Sequence, residues 1–271
     1  MPNDTIGAMR RNPLPTFVII GAQKSATRWL RINLGEHPEI FTASSELHFW
    51  NAEWKVRTRG LDAYREQFAG WKRQPIVGEA TPGYMIWRHD PRKVAERMKK
   101  GVPDARLIAI LRNPIDRANS AMLHHVRRKR IVPGLRLVDL VRARQPPEKD
   151  WFCLVSGGWY AASLAPFVEH FGDKLLVLLH DDVSDGPAGV YGAALRHVGA
   201  EPGFVPDRLS GVVFSNRRGK AIHHYELSPD DRLEMWEYFR DDVARLEEMF
   251  GIDLSRWAPH GETVAASGTL G

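Results

Sequence analysis

Small, hydroxylated and basic residues crowd together between Gly21 and Trp29, in the order Gly-Ala-Gln-Lys-Ser-Ala-Thr-Arg-Trp. The run before them, Thr16 to Gly21 (Thr-Phe-Val-Ile-Ile-Gly), is short, β-branched and uninterrupted, as in a strand buried on both faces. After them, Trp29, Leu30 and Leu34 fall at helical spacing until Gly35-Glu36-His37-Pro38 stops the pattern. A turn that enters a helix presents free backbone N–H groups at the positive end of the helix dipole, which suits phosphate or sulfate. Lys24 adds a mobile point charge, and Arg28 adds a planar fork that grips two oxygens. A plain strand-to-helix turn with incidental basic residues is the bland alternative. The loop is not that of a nucleoside triphosphatase, because G-x-x-x-x-G-K-[ST] is required there. Here only Ala22 and Gln23 separate Gly21 from Lys24, and no glycine precedes the lysine.

Two more constellations carry chemistry. Arg112 ends the apolar run Arg106 to Leu111, and Ser120 follows within the next helical pattern, so the two can converge on one anion. The alternative is that Arg112 pairs with Asp116 and Ser120 is a helix-surface residue. In Ser44-Ser45-Glu46-Leu47-His48-Phe49-Trp50, a carboxylate and an imidazole stand two residues apart. In an extended segment both face one side and can act in proton transfer; the alternative is a buried histidine beside a surface glutamate.

The elements that must position these residues are a set of strands alternating with helices. Further strands are expected at Pro75 to Ala80, Arg106 to Leu111 and Lys174 to Leu179. Helices are expected at Asp90 to Lys100, Asn113 to Arg130, Trp159 to Phe171, Pro187 to Val198 and Ser228 to Phe250, the last capped by Ser228 with Asp231. Such alternation predicts an α/β fold, a parallel sheet covered on both faces, with ligands beyond the carboxyl ends of the strands. Arg142 to Asp150 reads as a surface loop, and Glu201 to Lys220 lacks regular pattern. One domain is expected over residues 16–258, with loose ends at 1–15 and 259–271.

Composition narrows the classes. The 271 residues carry 38 Lys and Arg against 33 Asp and Glu, a net charge of +5, and 43% are hydrophobic. The basic blocks are short, so nothing demands nucleic acid. The single cysteine, Cys153, excludes an internal disulfide and a thiolate metal cluster. There is neither an apolar signal region nor an apolar run long enough to span a membrane, and a cytoplasmic protein is expected.

Together these residues resemble a family. Ile20 to Trp29 looks like the 5′-phosphosulfate loop of sulfotransferases that use 3′-phosphoadenosine 5′-phosphosulfate (PAPS), whose fold is P-loop-like. The Lys-x-x-Thr-Arg form is similar to the heparan sulfate glucosaminyl 3-O-sulfotransferases and the related N-sulfotransferases, and the chain resembles a bacterial-type member. The resemblance runs from about Phe17 to Trp257. It implies that Gln23, Lys24, Ser25, Ala26, Thr27 and Arg28 hold the donor's 5′ end, with Ala26 where a glycine is usual. It implies that Trp29 packs on adenine, that Arg112 and Ser120 hold the 3′-phosphate, and that Tyr160, within Gly158-Trp159-Tyr160, belongs to the nucleotide site. Phe214 to Lys220 looks like the family's basic glycine loop, so Arg218, Gly219 and Lys220 would cover the nucleotide.

On the acceptor side the same resemblance makes Glu46 the base and His48 its helper. Phe49, Trp50, Asn51, Tyr84 and Trp87 fall in the acceptor segments, although core packing fits Tyr84 and Trp87 equally well. Asn51 stands where the family has an aspartate. In Gly78-Glu79-Ala80-Thr81-Pro82-Gly83-Tyr84, Ala80 replaces a lysine, which argues against a heparan-like polyanion. The implied reaction moves a sulfonyl group in line from PAPS to a hydroxyl or amine of a small molecule, glycolipid or carbohydrate, releasing 3′-phosphoadenosine 5′-phosphate (PAP), with no metal. Two rivals stand beside it. An ATP-dependent kinase of small molecules would need the missing Gly-Lys-Ser/Thr unit and a strand-end aspartate, where this chain has Arg112. A non-catalytic nucleotide- or polyanion-binding module would have no use for Glu46 and His48.

Overall fold

The computed structural model describes residues 11–143, 149–210 and 226–259. Five strands form one parallel sheet in the order β2-β3-β1-β4-β5. They are β1 (Phe17–Gly21), β2 (Ile40–Thr42), β3 (Ile76–Ala80), β4 (Arg106–Leu111) and β5 (Leu175–Leu179). The register sets Phe17 beside Gly78 on one flank and beside Arg106 on the other. Strand β1 is thus central, and its carboxyl end, Gly21, opens between the ends of β3 and β4.

Because side chains alternate across a strand, each apolar strand feeds two cores. Val18 and Ile20 of β1, with Leu107, Ala109 and Leu111 of β4, enter one core. Phe17 and Ile19, with Ile108 and Ile110, enter the other. The first core is closed by α3 (Pro91–Gly101), α4 (Pro114–Arg127), α6 (Tyr160–Phe171), α9 (Pro229–Trp236) and α10 (Arg240–Phe250). The second is closed by α1 (Thr27–Glu36) and α8 (Pro187–Val198), through Leu30, Leu34, Val190, Ala194 and Leu195.

Several expectations need correction. Ser228 to Phe250 is not one helix. The capping box of Ser228 and Asp231 starts α9 as foreseen, but the chain turns after Trp236. The Tyr238 carbonyl accepts from Trp159 Nε1 at 2.9 Å, and Asp242 accepts from the Ala161 and Ala162 amides at the start of α6. Breaking the helix lets Trp236 and Phe239 both bury completely. Elements α2 (Glu53–Glu66), α7 (His180–Asp185) and the edge strand β2 lack the apolar periodicity that marks the others, and α5 (Leu137–Ala143), apolar at Leu137, Val138, Leu140 and Val141, is only seven residues long. The expected loop from Arg142 to Asp150 begins inside α5 and ends on a buried anchor: Asp150 accepts from the amides of Leu154, Val155 and Ser156. Part of the N-terminal stretch expected to be loose is tied down, since Asn12 O accepts from Arg65 and Leu14 packs against the first core. Cys153 is buried. Among the described residues no helix is long and apolar enough to cross a membrane.

Candidate active site

The donor-side loop leaves β1 through a close approach. A Cβ on Gly21 would lie 2.2 Å from Met85 Sδ, so the segment after β3 can close over the strand end only if this residue is glycine. Lys24 and Ala26 then take left-handed backbone angles, with φ of 73° and 62°. Such angles cost a side-chain-bearing residue roughly 1–2 kcal/mol each. Ala26 is therefore a residue held in the conformation that glycine favours. Its carbonyl accepts from Leu30 N at 3.1 Å, and no side chain caps α1. The first amides of a helix have no partner within the helix, and such an N-terminus suits an anionic ligand. Ser25 and Thr27 are buried in this turn, Gln23 is half-buried and Arg28 is exposed beside them.

Strand β4 supplies the adjoining wall. Arg112 donates to the Lys24 carbonyl at 3.4 Å, and the Tyr160 hydroxyl donates to the Arg112 carbonyl at 2.8 Å. The expected nucleotide residues Lys24, Arg112 and Tyr160 are thus joined directly. Asn113 caps α4 by accepting from Ile115 N, and Asp116 is taken by Arg232 at 2.7 Å, so the alternative pairing of Arg112 with Asp116 is not the one adopted. Ser120 lies half-buried on α4. Burial lowers the Lys24 pKa, and the charges of Arg127, Arg112 and Arg117 lower it further. His124, four residues beyond Ser120, is pushed down to about 4 by burial and then by Lys24, His125 and nearby arginines. Positive charge is concentrated where α1 begins, which is the environment an anionic ligand neutralises.

Across from the loop, His48 Nε2 lies 3.2 Å from Glu46 Oε2, and both side chains are about half exposed. The segment is not extended as expected: His48 has a φ of 47°. The pair nevertheless meets. Asn51 Nδ2 lies 3.3 Å from His48 Nδ1. With Asn51 donating to Nδ1, a neutral His48 keeps its proton on Nε2 and gives it to Glu46, leaving the carboxylate's other oxygen for a substrate. A cleft of about 310 Å³ joins the two sides, lined by Thr27, Arg28 and Arg31 of α1, by Ser44, Ser45 and Glu46, and by Ala80 and Pro82 after β3. Arg31, which the motif reading did not single out, is held by donation to the Ala43 carbonyl at 2.9 Å.

The aromatic residues expected at the acceptor site mostly lie elsewhere. Phe49 stacks on Tyr64 with ring centroids 4.6 Å apart, Trp50 packs edge-on to Phe49, and both are buried in the first core. Tyr84 is fully buried and donates to Glu79. Phe49 and Trp50 are packing residues because the chain turns inward straight after His48, and the Tyr84 hydroxyl is engaged inside the fold by Glu79 and the Phe49 amide. Asn51 faces His48, and Trp87 alone of the five stays open, at 42% exposure. Trp29 is nearly buried on α1, its Nε1 donating to Leu209 O at 3.3 Å. Arg218, Gly219 and Lys220, with the rest of Phe214 to Lys220, lie outside the described residues. The motif reading also passed over Glu79. Its signal was a carboxylate inside a strand whose every residue is buried.

The geometry joins an anion-binding turn to an acid–base pair in one cleft. The description "Sulfotransferase domain" matches residues 14–245. The chain belongs to the sulfotransferase family. It is 31% identical to heparan sulfate glucosamine 3-O-sulfotransferase 3B1 of Mus musculus over 179 residues, 65% of this chain and 44% of that protein. It is 28% identical to heparan sulfate glucosamine 3-O-sulfotransferase 6 of Homo sapiens over 190 residues, 70% of this chain and 53% of that one. The chain spans about half the length of the curated relatives it matches. The crystal structure of a sulfotransferase from Alicyclobacillus acidocaldarius is 31% identical, covers 90% of this chain and 99% of its own, and superposes with a TM-score of 0.75. The central parallel sheet flanked by helices is thus the sulfotransferase fold that the motifs implied.

Proposed function

We propose that this sulfotransferase carries a sulfonyl group from PAPS to a hydroxyl or amine of a small-molecule, carbohydrate or glycolipid acceptor. The observation that carries the reading is the single cleft in which Thr27 and Arg28, from the donor turn, face Glu46, from the acid–base pair. PAPS supplies an activated sulfonyl group on a phosphate that can leave. The start of α1, with Thr27 and Arg28, holds the 5′ end, and Arg112 and Ser120 hold the 3′-phosphate. Glu46 takes the acceptor proton as the new bond to sulfur forms, and His48 keeps the carboxylate aimed. Lys24 donates to the bridging oxygen as its bond to sulfur breaks and negative charge gathers on the departing PAP. Fixed donors aimed at developing charge are the largest common source of rate enhancement, and here they carry it without a metal.

Arg31, Ser44 and Ser45 line the acceptor end, with Ala80 opposite, so the cleft offers polar contacts rather than a long basic track. This supports an individual acceptor molecule in place of a highly charged polymer, and a cytoplasmic setting is part of the same proposal. Calorimetry decides the donor: PAP is expected to bind without metal, whereas tight binding of ATP with Mg²⁺ and none of PAP would overturn the reading. A ³⁵S-transfer assay over a panel of alcohols, sugars and amines then identifies the acceptor class.

A further inference from the structure

The carboxylate of Glu79 is fully buried in β3, whose residues are covered on both faces. A buried carboxylate costs several kcal/mol unless its oxygens are hydrogen-bonded. Glu79 accepts from three hydroxyls: Tyr64 Oη at 2.7 Å and Tyr84 Oη at 2.8 Å on one oxygen, and Thr81 Oγ1 at 2.6 Å on the other. Among the described residues no lysine, arginine or histidine forms an ion pair with it.

A hydroxyl has one proton. Once Thr81 and Tyr84 have given theirs to Glu79, their oxygens face outward only as acceptors. Thr81 Oγ1 accepts from the amides of Leu47 at 3.0 Å and His48 at 3.4 Å, and Tyr84 Oη accepts from the amide of Phe49 at 3.2 Å. Three successive amides, starting directly after Glu46, are therefore held by hydroxyls whose direction the carboxylate sets. The segment belongs to no strand or helix, so no ladder holds it otherwise. It includes His48 in a left-handed conformation, which persists only where the surroundings over-determine it.

We propose that Glu79 is a positioning residue that acts through Thr81 and Tyr84 to fix the backbone bearing Glu46 and His48. The inference rests on the reading of that pair as the proton-transfer group. Burial raises the pKa of Glu79, and its three hydroxyl donors oppose the rise. Tyr64 is a built-in control, because it donates to the same carboxylate but holds none of the three amides.

The test uses the full chain and two readouts: amide hydrogen exchange at residues 47–49, and the tautomer of His48 from ¹⁵N ring signals. Glu79→Gln is expected to speed exchange at all three amides by about tenfold, the loss of roughly one hydrogen bond, and to mix the His48 tautomers. Thr81→Val should do so at Leu47 and His48, and Thr81→Ser, which keeps the hydroxyl, should restore the wild-type pattern. Tyr64→Phe should lower the melting temperature yet leave both readouts at wild-type values. If Tyr64→Phe disturbs residues 47–49 as much as Glu79→Gln, or if Glu79→Gln leaves them unchanged, the proposal is overturned. Failure of the proton-transfer reading shows separately, as a Glu46→Gln variant that keeps full turnover while the exchange results stand.

Discussion

The two halves of the cleft are held by different means. The donor turn is a main-chain device: a glycine under Met85, two left-handed residues, and a helix whose N-cap, Ala26, has no side chain able to cap it. The acid–base segment is a side-chain device, fastened by the hydroxyls of Thr81 and Tyr84 and by Asn51. A turn that binds an anion needs its amides free, so it is shaped by backbone angles. A segment that must aim a carboxylate has no such need, and its amides can be spent on fixing it.

Substitutions on each half should separate accordingly. The largest effect is expected for Lys24→Ala, which removes a donor from the developing charge and should lower turnover by about 10²–10³, or ~3–4 kcal/mol. The fold should persist, and circular dichroism with a ³⁵S-transfer assay reads both. Wild-type turnover in this variant would show that the donor half works by its backbone alone. Glu46→Gln should cut turnover by about 10²–10⁴, the usual range for a positioned general base, with PAP affinity by calorimetry unchanged. A large loss of affinity would instead join the two halves into one binding site.

Ala26→Gly tests the backbone device with a smaller change. It is expected to stabilise the fold by about 1 kcal/mol through relief of the left-handed alanine, less the chain entropy that glycine adds, as read from denaturant melts. The smallest effect concerns His124. Its pKa of about 4 in the fold lies below its ordinary 6.5, so the unfolded chain binds the proton more readily. The stability it contributes is present above pH 6.5 and is lost as pH falls toward 4. His124→Gln should therefore flatten that part of the melting temperature's pH dependence; an unchanged acid limb would place His124 outside the electropositive wall.

The same contrast explains what was legible in the sequence. Strand β1, the turn, and the start of α1 are contiguous, and their apolar run, small residues and spacing announce them without help from the rest of the chain. Arg112 and Tyr160 were legible as motif members, although the carbonyl that joins them is a fact of folding. The acceptor side was legible only in part. Glu46 and His48 could be named, yet nothing local shows that Phe49 and Trp50 turn inward onto Tyr64, since aromatic residues serve cores and substrate walls alike. Glu79 and Arg31 act across long separations, and Trp236 to Phe239 looks helical until Trp159 and α6 compete for the same turn. Short, polar or kinked elements such as β2, α2 and α7 are set by tertiary packing in preference to propensity.

The order of the strands has a kinetic consequence. Every pairing in the sheet is parallel, both neighbours of β1 are strands not next to it in sequence, and β1 closes on β3 through contacts 61 residues apart, while Arg112 reaches the Lys24 carbonyl across 88. Loops of that length must close before β1 gains a neighbour, and topologies dominated by distant contacts fold slowly. The central strand that carries the turn can be completed only after β3 and β4 have both arrived. The start of α1 thus reaches its final arrangement only once β1 has both neighbours, and capacity to bind PAP during refolding would report that paired central strand, lagging behind the recovery of helix.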